Sequence, residues 1–341
     1  MAVSIAGGID HSSLLMLLAD GQLHSGEELA QRLGVSRAAI WKGIERLRLR
    51  GIEVVALPRR GYALPEPVEL LEESRIRSAI SGGSAARVRS LELLFDVDST
   101  NNRLLAAAPP PYGYTDVVLS ELQHAGRGRR GRDWAAPFGG CIALSMGWAF
   151  EDASRASPTL SLGVGVAVAR ALERAGARGI GLKWPNDLWL DDRKIGGVLL
   201  ELRAEASGPA YVVIGVGLNV ILSAAARAQI ESSGRERAGY RVAAVADACT
   251  ALPSRNFIAG AIIEELLSML GTFERCGFAA FRDAWTALDA LRDRPAQVLT
   301  GTTAISGTAR GVDAQGALRL ERDGRVHEFV SGEVSLRLGG G

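Results

Sequence analysis

The chain has 341 residues, a length that predicts two or three domains. Hydrophobic residues make up 47% and charged residues 23%, which is ordinary for a soluble globular protein and excludes a strongly biased composition. The formal net charge is only +1, so any basic surface must be local.

Cysteine and histidine usage excludes two kinds of site. The three cysteines, Cys141, Cys249 and Cys276, are odd in number, far apart and without CxxC spacing. This argues against a disulfide framework or a zinc site and fits a reducing compartment. The four histidines do not cluster, so metal ligands stay unknown. The stretch from Met1 to Leu18 lacks a basic region, and its apolar run is too short for export or a membrane span, so we expect a cytoplasmic protein without a membrane partner.

Helices are predicted throughout the first fifty residues. Ser12–Ala19 reads as a short helix. Ser25 fits the N-cap of a second helix, in a capping box whose Glu28 reaches back to the cap. A turn at Gly34 then leads to a third helix capped by Ser36. Two helices joined by a tight glycine turn are typical of a helix-turn-helix.

The third helix and the hairpin after it match a winged helix-turn-helix. Ile40, Ile44 and Leu47 recur at i, i+4 and i+7 and are expected to face inward. Ile52–Leu57 and Tyr62–Leu64 read as the two strands of a wing with two arginines at its tip. In such a domain the later helix is available to the major groove.

Charge favours DNA binding by this domain. From Arg32 to Arg60, eight basic and two acidic residues give a local charge of +6, an electrostatic footprint for phosphates. The alternative is a helical domain that merely solvates its outer face with arginine. The predicted DNA contacts are Ser36, Arg37, Trp41, Lys42, Arg59 and Arg60. Pro65–Pro67 then reads as a stiff linker.

The middle of the chain, from about residue 70 to 288, mixes predicted strands and helices. The strands are Leu91–Val97, Val117–Leu122, Cys141–Trp148, a short strand closed by Lys183-Trp184, Leu188–Leu190, Lys194–Leu202 and Tyr211–Val216. The helices are Arg103–Ala108, Pro158–Ala175 and Phe257–Phe273. Polar segments fall at strand ends, at residues 98–101, 123–132, 183–187, 194 and 219. If the strands share one sheet, these segments converge on one cleft.

One polar segment is unusually basic. Gln123–Arg132 holds four arginines and three glycines, and Trp134 follows. Because like charges repel, a mobile loop is expected in the free chain. Its arginine forks match phosphate and carboxylate oxygens, and the indole offers a flat face for a purine. Two alternatives are a nucleic-acid patch and a dinucleotide-binding loop, although no helix is predicted after the Gly-x-Gly-x-x-Gly pattern at residue 126.

The basic residues of these polar segments favour catalysis by charge stabilisation. No Gly-Lys-Ser/Thr phosphate loop occurs, and no Ser-His-Asp or Cys-His arrangement is convincing. Phosphates would have to be held by Arg127, Arg129, Arg130, Arg132 and Lys183. These cations would neutralise a polyphosphate while a carboxylate attacks it.

The last fifty residues predict a small barrel of short strands separated by tight turns. One of the turns is Thr300-Gly301. The strands are Ala296–Leu299, Thr303–Ala309, Ala317–Glu321, Val326–Val330 and Val334–Leu338.

Five motifs in order resemble those of the bacterial biotin–protein ligases that are also biotin operon repressors. They are Asp98–Asn101, Gly126–Arg132, Lys183–Asp187, Arg193–Gly197 and Gly215–Asn219. The resemblance covers nearly the whole chain. It implies an α+β fold: a winged helix-turn-helix at 1–65, a mixed α/β, class II synthetase-like ligase domain at 66–290, and an SH3-like barrel at 291–341. The barrel would cap the cleft or share in carrier docking or ATP binding.

The resemblance also implies a reaction. Biotin and ATP, with Mg²⁺, would give biotinyl-5′-AMP and pyrophosphate, and biotin would pass to a lysine of the biotin carboxyl carrier protein. Further implied partners are operator DNA and, when the adenylate is bound, a second copy of the chain. Two other functions stay open: a transcription factor that only senses a ligand, and a lipoate–protein ligase, whose family pattern lacks this glycine- and arginine-rich loop.

The family pattern also implies individual site residues. Those around biotin are Ser99, Thr100, Asn101, Gln123, Arg127, Gly128, Arg129 and Lys194. Those around ATP and the adenylate are Arg130, Arg132, Trp134, Asn186 and Asn219. The implied catalytic residues are Lys183, which would stabilise the carboxylate and the α-phosphate, and Arg129.

Overall fold

The computed structural model describes residues 10–204, 209–233, 240–300 and 303–336. They divide into two compact units, one from Met1–Leu71 with Pro137–Gly139, and one from Glu72–Ala136 with Gly140–Gly341. The central sheet and the C-terminal strands therefore lie in the same unit. The predicted domain boundaries at 65 and 290 stay predictions.

The first unit contains three helices and a hairpin. The helices are α1 (His11–Leu18), α2 (Gly26–Leu33) and α3 (Arg37–Leu49), and the strands are β1 (Val55–Leu57) and β2 (Gly61–Ala63). Ile40, Ile44 and Leu47 are fully buried, as predicted, and pack in one core with the leucines of α1 and α2. Gly34 ends α2 in a left-handed conformation at φ 65°, which glycine adopts without strain.

Two details of the first unit differ from prediction. Ser25 Oγ accepts from Glu28 N at 3.0 Å, but the Glu28 carboxylate turns to the ring of His24 at 3.1 Å instead of reaching back to the cap. The first wing strand begins at Val55 rather than Ile52. Its partner β2 offers only three residues for pairing, so the earlier residues are left outside the ladder.

The second unit is built on a seven-stranded sheet in the order β3-β4-β5-β9-β8-β7-β6. The pair β3 and β4 is parallel, and the other neighbours are antiparallel. The strands are β3 (Val88–Val97), β4 (Thr115–Gln123), β5 (Cys141–Phe150), β6 (Ile180–Lys183), β7 (Asp187–Leu190), β8 (Arg193–Ala204) and β9 (Ala210–Asn219). All seven predicted strands of the middle region are therefore present in one sheet.

The helices of this unit are α4 (Glu73–Ser78), α5 (Gly82–Ala85), α6 (Thr100–Leu105), α7 (Leu160–Arg174), α8 (Ala224–Ser233), α9 (Arg255–Cys276) and α10 (Arg282–Leu288). The predicted helix Arg103–Ala108 begins three residues earlier, because Thr100 opens its first turn. Four helices were not predicted: α4, α5, α8 and α10 are short or carry a weak apolar period.

The long helices α7 and α9 pack against each other and bury most of their side chains. Within the described ranges, one helical stretch, Arg255–Ala280, has the length and hydropathy of a membrane span. However, 67% of its most apolar window is buried inside the unit, as in the core helix of a folded domain.

The C-terminal strands form an antiparallel sheet in the order β13-β12-β11-β10-β14. They are β10 (Pro295–Thr300), β11 (Thr303–Val312), β12 (Leu318–Arg322), β13 (Arg325–Phe329) and β14 (Glu333–Leu336), which confirms five short strands. Residue 301 of the predicted turn and residues 337–338 of the last predicted strand lie outside the described residues.

Two contacts tie the C-terminal segment, in loops outside its strands, to β6 and to Trp184, the residue after β6. Trp184 Nε1 donates to Gly316 O at 3.1 Å in a buried position. Leu182 forms a parallel bridge with Asp289, just before β10. Burial raises the pKa of Asp289 to about 6, so this junction is tight enough to disfavour a carboxylate.

A pH dependence follows from His24 in the first unit. Its buried ring lies 3.0 Å from Asp20 and 3.1 Å from Glu28. Burial alone would lower the pKa of His24, but the hydrogen bonds to these carboxylates outweigh burial and raise it. The resulting stabilisation is present below the ordinary histidine pKa of about 6.5 and is lost as pH rises through the raised value.

We therefore expect His24→Gln to lower the melting temperature of this unit by about 4 °C at pH 6, and by much less at pH 8.5. Thermal unfolding of the full chain at both pH values measures the effect. Equal losses at the two pH values would show that packing, not ring charge, stabilises the unit.

Candidate active site

A cavity of about 830 Å³ lies in the second unit. It brings together residues from four of the five predicted polar segments and from the tryptophan that follows the basic loop. Thirteen of the predicted ligand residues line it: Ser99, Thr100, Asn101, Gln123, Arg127, Gly128, Arg129, Arg130, Arg132, Trp134, Lys183, Asn186 and Lys194.

Asn219 is the exception among the predicted ligand residues. It does not line the cavity, and its buried amide donates to Ala243 O at 3.1 Å. The reason is the length of β9, which continues two residues beyond Gly217, the last cavity-lining residue of that strand. In this structure the Asn219 side chain contacts the segment that follows α8, and its predicted phosphate contact stays a prediction.

Uncharged polar groups cluster at the start of α6. Thr100 donates to Gln123 Oε1 from its backbone N at 2.9 Å and its hydroxyl at 3.2 Å. Ser145, which was not predicted as a site residue, places its Oγ 2.7 Å from Thr100 Oγ1 and 2.5 Å from Asn101 Oδ1. This end of the cavity suits a neutral ligand with both hydrogen-bond donors and acceptors.

The cationic end is organised by one carboxylate. Asp187 lies 2.6 Å from Lys194 Nζ and 3.6 Å from Lys183 Nζ. Lys183 also stands 4.5 Å from the ring centroid of Trp189, within cation–π range. All three ionic side chains are largely buried, with 15–16% exposure, so their charges are weakly screened.

The basic loop between β4 and β5 folds back on itself. Arg127 and Asp133 form an antiparallel bridge, and Trp134 N donates to Gly126 O at 2.8 Å. A 3-10 turn spans Arg129–Gly131. The loop is thus a hairpin rather than the start of a long helix, so the dinucleotide-loop alternative is wrong. Its mobility in the free chain stays a prediction.

Arg129 reaches across the cavity to the segment after β6. Its guanidinium donates to Asn186 Oδ1 at 3.3 Å, and Asn186 in turn donates to Val198 O at 2.7 Å. Burial, with a smaller effect of Arg130, lowers the pKa of Arg129. A half-buried cation of this kind is ready to pair with an incoming anion.

The indole of Trp134 depends on a glycine. A Cβ built on Gly217 would stand 2.5–2.9 Å from atoms of the Trp134 ring. Lys194 Nζ lies 5.7 Å from the centroid of the same ring. The slot for this side chain therefore exists only because β9 carries glycine at position 217.

Several lining residues were not predicted. Tyr240 and Arg241 reach the wall because Lys194 pairs with the backbone of that segment, and Gln297, Leu299 and Val334 come from the five-stranded sheet. No local sequence signal marks them, since their position depends on distant pairing. Among described residues, no group of three or more His, Cys, Asp or Glu could hold a metal ion.

The residues predicted to contact DNA lie in the first unit, and none of them is buried. All six are exposed on α3, at its N-cap, or in the β1–β2 turn: Ser36, Arg37, Trp41, Lys42, Arg59 and Arg60. Trp41 is 55% exposed, which is unusual for a large aromatic side chain and fits a contact surface.

Comparisons with known proteins agree with these features. The profile of the Biotin/lipoate A/B protein ligase family matches residues 95–219. An HTH domain profile matches 11–63, and that of the Biotin protein ligase C terminal domain matches 293–337. The chain is 41% identical to the bifunctional ligase/repressor BirA of Salmonella typhimurium over 95% of its own length and 97% of that protein.

More distant relatives also match this chain over most of its length. Identity is 30% to the bifunctional ligase/repressor BirA of Bacillus spizizenii, over 93% of this chain and 95% of the relative. The biotin protein ligase of Aquifex aeolicus, solved in complex with biotin and ATP, superposes with a TM-score of 0.60. That match has 24% identity and covers 73% of this chain and 99% of the other, so it supports the fold.

The glycine at position 217 generates a stability prediction. Gly217→Ala should destabilise the second unit by about 1–3 kcal/mol, because the new methyl group overpacks the indole of Trp134. Gly82→Ala is the control, since a Cβ there meets nothing within 4 Å. Urea unfolding measures both, and adding Trp134→Ala to the Gly217 variant should recover part of the loss. A loss no larger than that of the control would show that the slot is not tight.

Proposed function

The chain belongs to the family of bifunctional biotin–protein ligase/repressors, and on this basis we propose that it activates biotin with ATP and transfers it to a protein lysine. The observation that supports the proposal most is the cavity itself. It joins a neutral hydrogen-bonding end around Thr100 and Asn101 to a cationic end around Lys183. Biotin has this polarity, with an uncharged ureido ring at one end and a carboxylate at the other.

The first step makes biotinyl-5′-AMP. A carboxylate oxygen of biotin attacks the α-phosphorus of ATP, and the bond to pyrophosphate breaks. Lys183 is proposed to stabilise the negative charge that the carboxylate and the α-phosphate share in the transition state. Ser99, Thr100, Asn101 and Gln123 hold the ureido ring, while Arg127, Gly128, Arg129 and Lys194 surround the rest of biotin.

The second step transfers the biotinyl group. The ε-amine of a carrier lysine attacks the acyl carbon of the mixed anhydride, AMP leaves, and the amine loses a proton. Arg129 is proposed to close over the acyl phosphate, which excludes water in the meantime. Arg130, Arg132, Trp134 and Asn186 hold the adenylate. The carrier would be the biotin carboxyl carrier protein of acetyl-CoA carboxylase.

Mg²⁺ is proposed to enter as the metal complex of ATP. The described residues offer no three-ligand acidic cluster, whereas Mg²⁺ in nucleotide sites is commonly held by phosphates and water with few carboxylates. The protein's own contribution to charge neutralisation is the set of lysines and arginines that lines the cavity.

We further propose that the chain represses transcription as an adenylate-bound homodimer in the cytoplasm. The first unit exposes a basic helix and hairpin suited to DNA phosphates and bases. Two such units related by a two-fold axis would match a palindromic operator. The three cysteines are free thiols, as a reducing compartment requires.

The proposed activity is tested by mixing the chain with ATP, Mg²⁺, biotin and an acceptor carrier domain, then measuring the mass of the carrier. We expect a gain of one biotinyl group on one lysine. A parallel reaction with lipoate separates the two branches of the wider family. Gain with lipoate but none with biotin would contradict the proposal, and gain with neither would favour a ligand sensor without ligase activity.

Lys183→Ala should reduce the rate of pyrophosphate release in a single turnover by about 10²–10³-fold, because one cation is lost where charge develops. Biotin affinity should change little, since Asp187 keeps its closer partner Lys194 at 2.6 Å. Calorimetric titration with biotin alone separates binding from chemistry. Lys42→Ala in the first unit is the control, and a wild-type rate for Lys183→Ala would remove Lys183 from the mechanism.

Biotin with ATP should strengthen self-association, and self-association should tighten adenylate binding by the same factor. The physical reason is that an adenylate neutralises the arginines of the 126–132 loop and fixes the surface beside them. Sedimentation with biotin and ATP, compared with biotin alone, measures the first half. Identical dimerisation constants would contradict the coupling while leaving the ligase proposal intact.

A further inference from the structure

One carboxylate oxygen links the basic loop to the neutral end of the cavity. Glu201 Oε2, on β8, accepts from Asn101 Nδ2 at 2.8 Å and from Arg127 Nη2 at 2.7 Å. Both donors line the cavity, but Glu201 itself does not. Neither the motifs nor the proposed mechanism gives this residue a role.

The surroundings of Asn101 leave its amide one orientation. Its Oδ1 lies 2.5 Å from Ser145 Oγ, and its Nδ2 points at Glu201. A Cβ on Gly215 would stand 2.5 Å from Oδ1, so the side chain packs directly against the backbone of β9 on that side. An ionised carboxylate can only accept, and it therefore holds the NH₂ group of Asn101 toward β8 and the carbonyl toward Ser145.

The same carboxylate relieves charge repulsion in the loop. Arg127 is one of four arginines within ten residues, and its ion pair with Glu201 neutralises one of them. Glu201 is 21% and Arg127 38% exposed, so the pair is only partly solvated and is stronger than a fully exposed one. Two donors from different segments are thus held at a single point.

We propose that Glu201 is a positioning residue that sets the Asn101 amide for biotin and, through Arg127, anchors the 126–132 loop in its folded-back hairpin. This inference rests on the proposed ligase function for its biotin part. Its loop part can be tested without any ligand. Because glutamine keeps one acceptor oxygen but carries no charge, Glu201→Gln should keep the shape of the site and remove the charge assistance of both hydrogen bonds, whereas Glu201→Ala removes the hydrogen bonds themselves.

The test uses the full chain with Glu201→Gln, Glu201→Ala and a matched control. Glu92→Gln is that control, because Glu92 lies on β3 of the same sheet, pairs with Arg103 at 3.0 Å, and does not line the cavity. The ligand-free readout is the rate at which trypsin cleaves after the arginines of the 126–132 loop. The ligand readout is KM for biotin and for ATP, together with kcat.

We expect Glu201→Gln to be cleaved about tenfold faster than wild type, and Glu201→Ala at least as fast, since a charge-assisted hydrogen bond is lost. KM for biotin should rise about tenfold and by more than KM for ATP, because the biotin site loses both the Asn101 contact and the loop contact, whereas the ATP site loses only the loop contact. Glu92→Gln should match wild type. Combining Glu201→Ala with Arg127→Ala should add no further cleavage after Arg129, Arg130 and Arg132, the sites that this variant keeps, because each change already breaks the same contact.

Wild-type cleavage and wild-type KM for biotin in Glu201→Gln would overturn the proposal. Equal rises in both KM values, with a lower melting temperature, would also overturn it, because they indicate a general packing role. If the wild-type chain shows no biotin-dependent turnover, the ligase function fails, and the trypsin comparison still decides whether Glu201 anchors the loop.

Discussion

The shared carboxylate of Asp187 is the interaction on which the cationic end of the cavity depends. Two lysines at 2.6 and 3.6 Å from one aspartate would repel each other strongly without it. Asp187 keeps both ammonium groups close, and one carboxylate does not neutralise two lysines, which favours an anionic ligand. The arginines of the 126–132 loop add to that positive charge. A phosphate or carboxylate group would therefore complete the site. The folded protein holds this positive charge before the ligand neutralises it.

Part of this arrangement was predictable because the polar motifs fall at the ends of predicted strands. Runs such as Lys183–Asp187 concentrate unusual residues in a few positions, and strand periodicity places each run at a strand end. The burial of Ile40, Ile44 and Leu47 followed from helical spacing alone. In such segments the local sequence contains the information that places each polar run at a strand end, and the family resemblance implied thirteen of the residues that line the cavity.

The other features of the site depend on contacts between residues that are far apart in the sequence, and no local pattern encodes such contacts. Glu201 lies in an ordinary strand, and its proposed role depends on Asn101, which is 100 residues away, and on Arg127, which is 74 residues away. Asn219 lies outside the cavity for a related reason, because the length of β9, not the motif, decides whether position 219 reaches it. Thr100 begins α6 rather than ending a turn, since its backbone N bonds to Gln123 on the next strand.

The contacts between Trp184 and Gly316, and between Leu182 and Asp289, have a consequence for how this architecture can evolve. The C-terminal segment is bonded to β6, which ends in Lys183, and to Trp184 after it, and it supplies part of the cavity wall. Its loss would expose a tryptophan and unpair backbone beside the lysine. A substitution in the C-terminal segment can therefore alter the cavity wall directly, so we expect this segment to be inherited together with the strand that ends in Lys183.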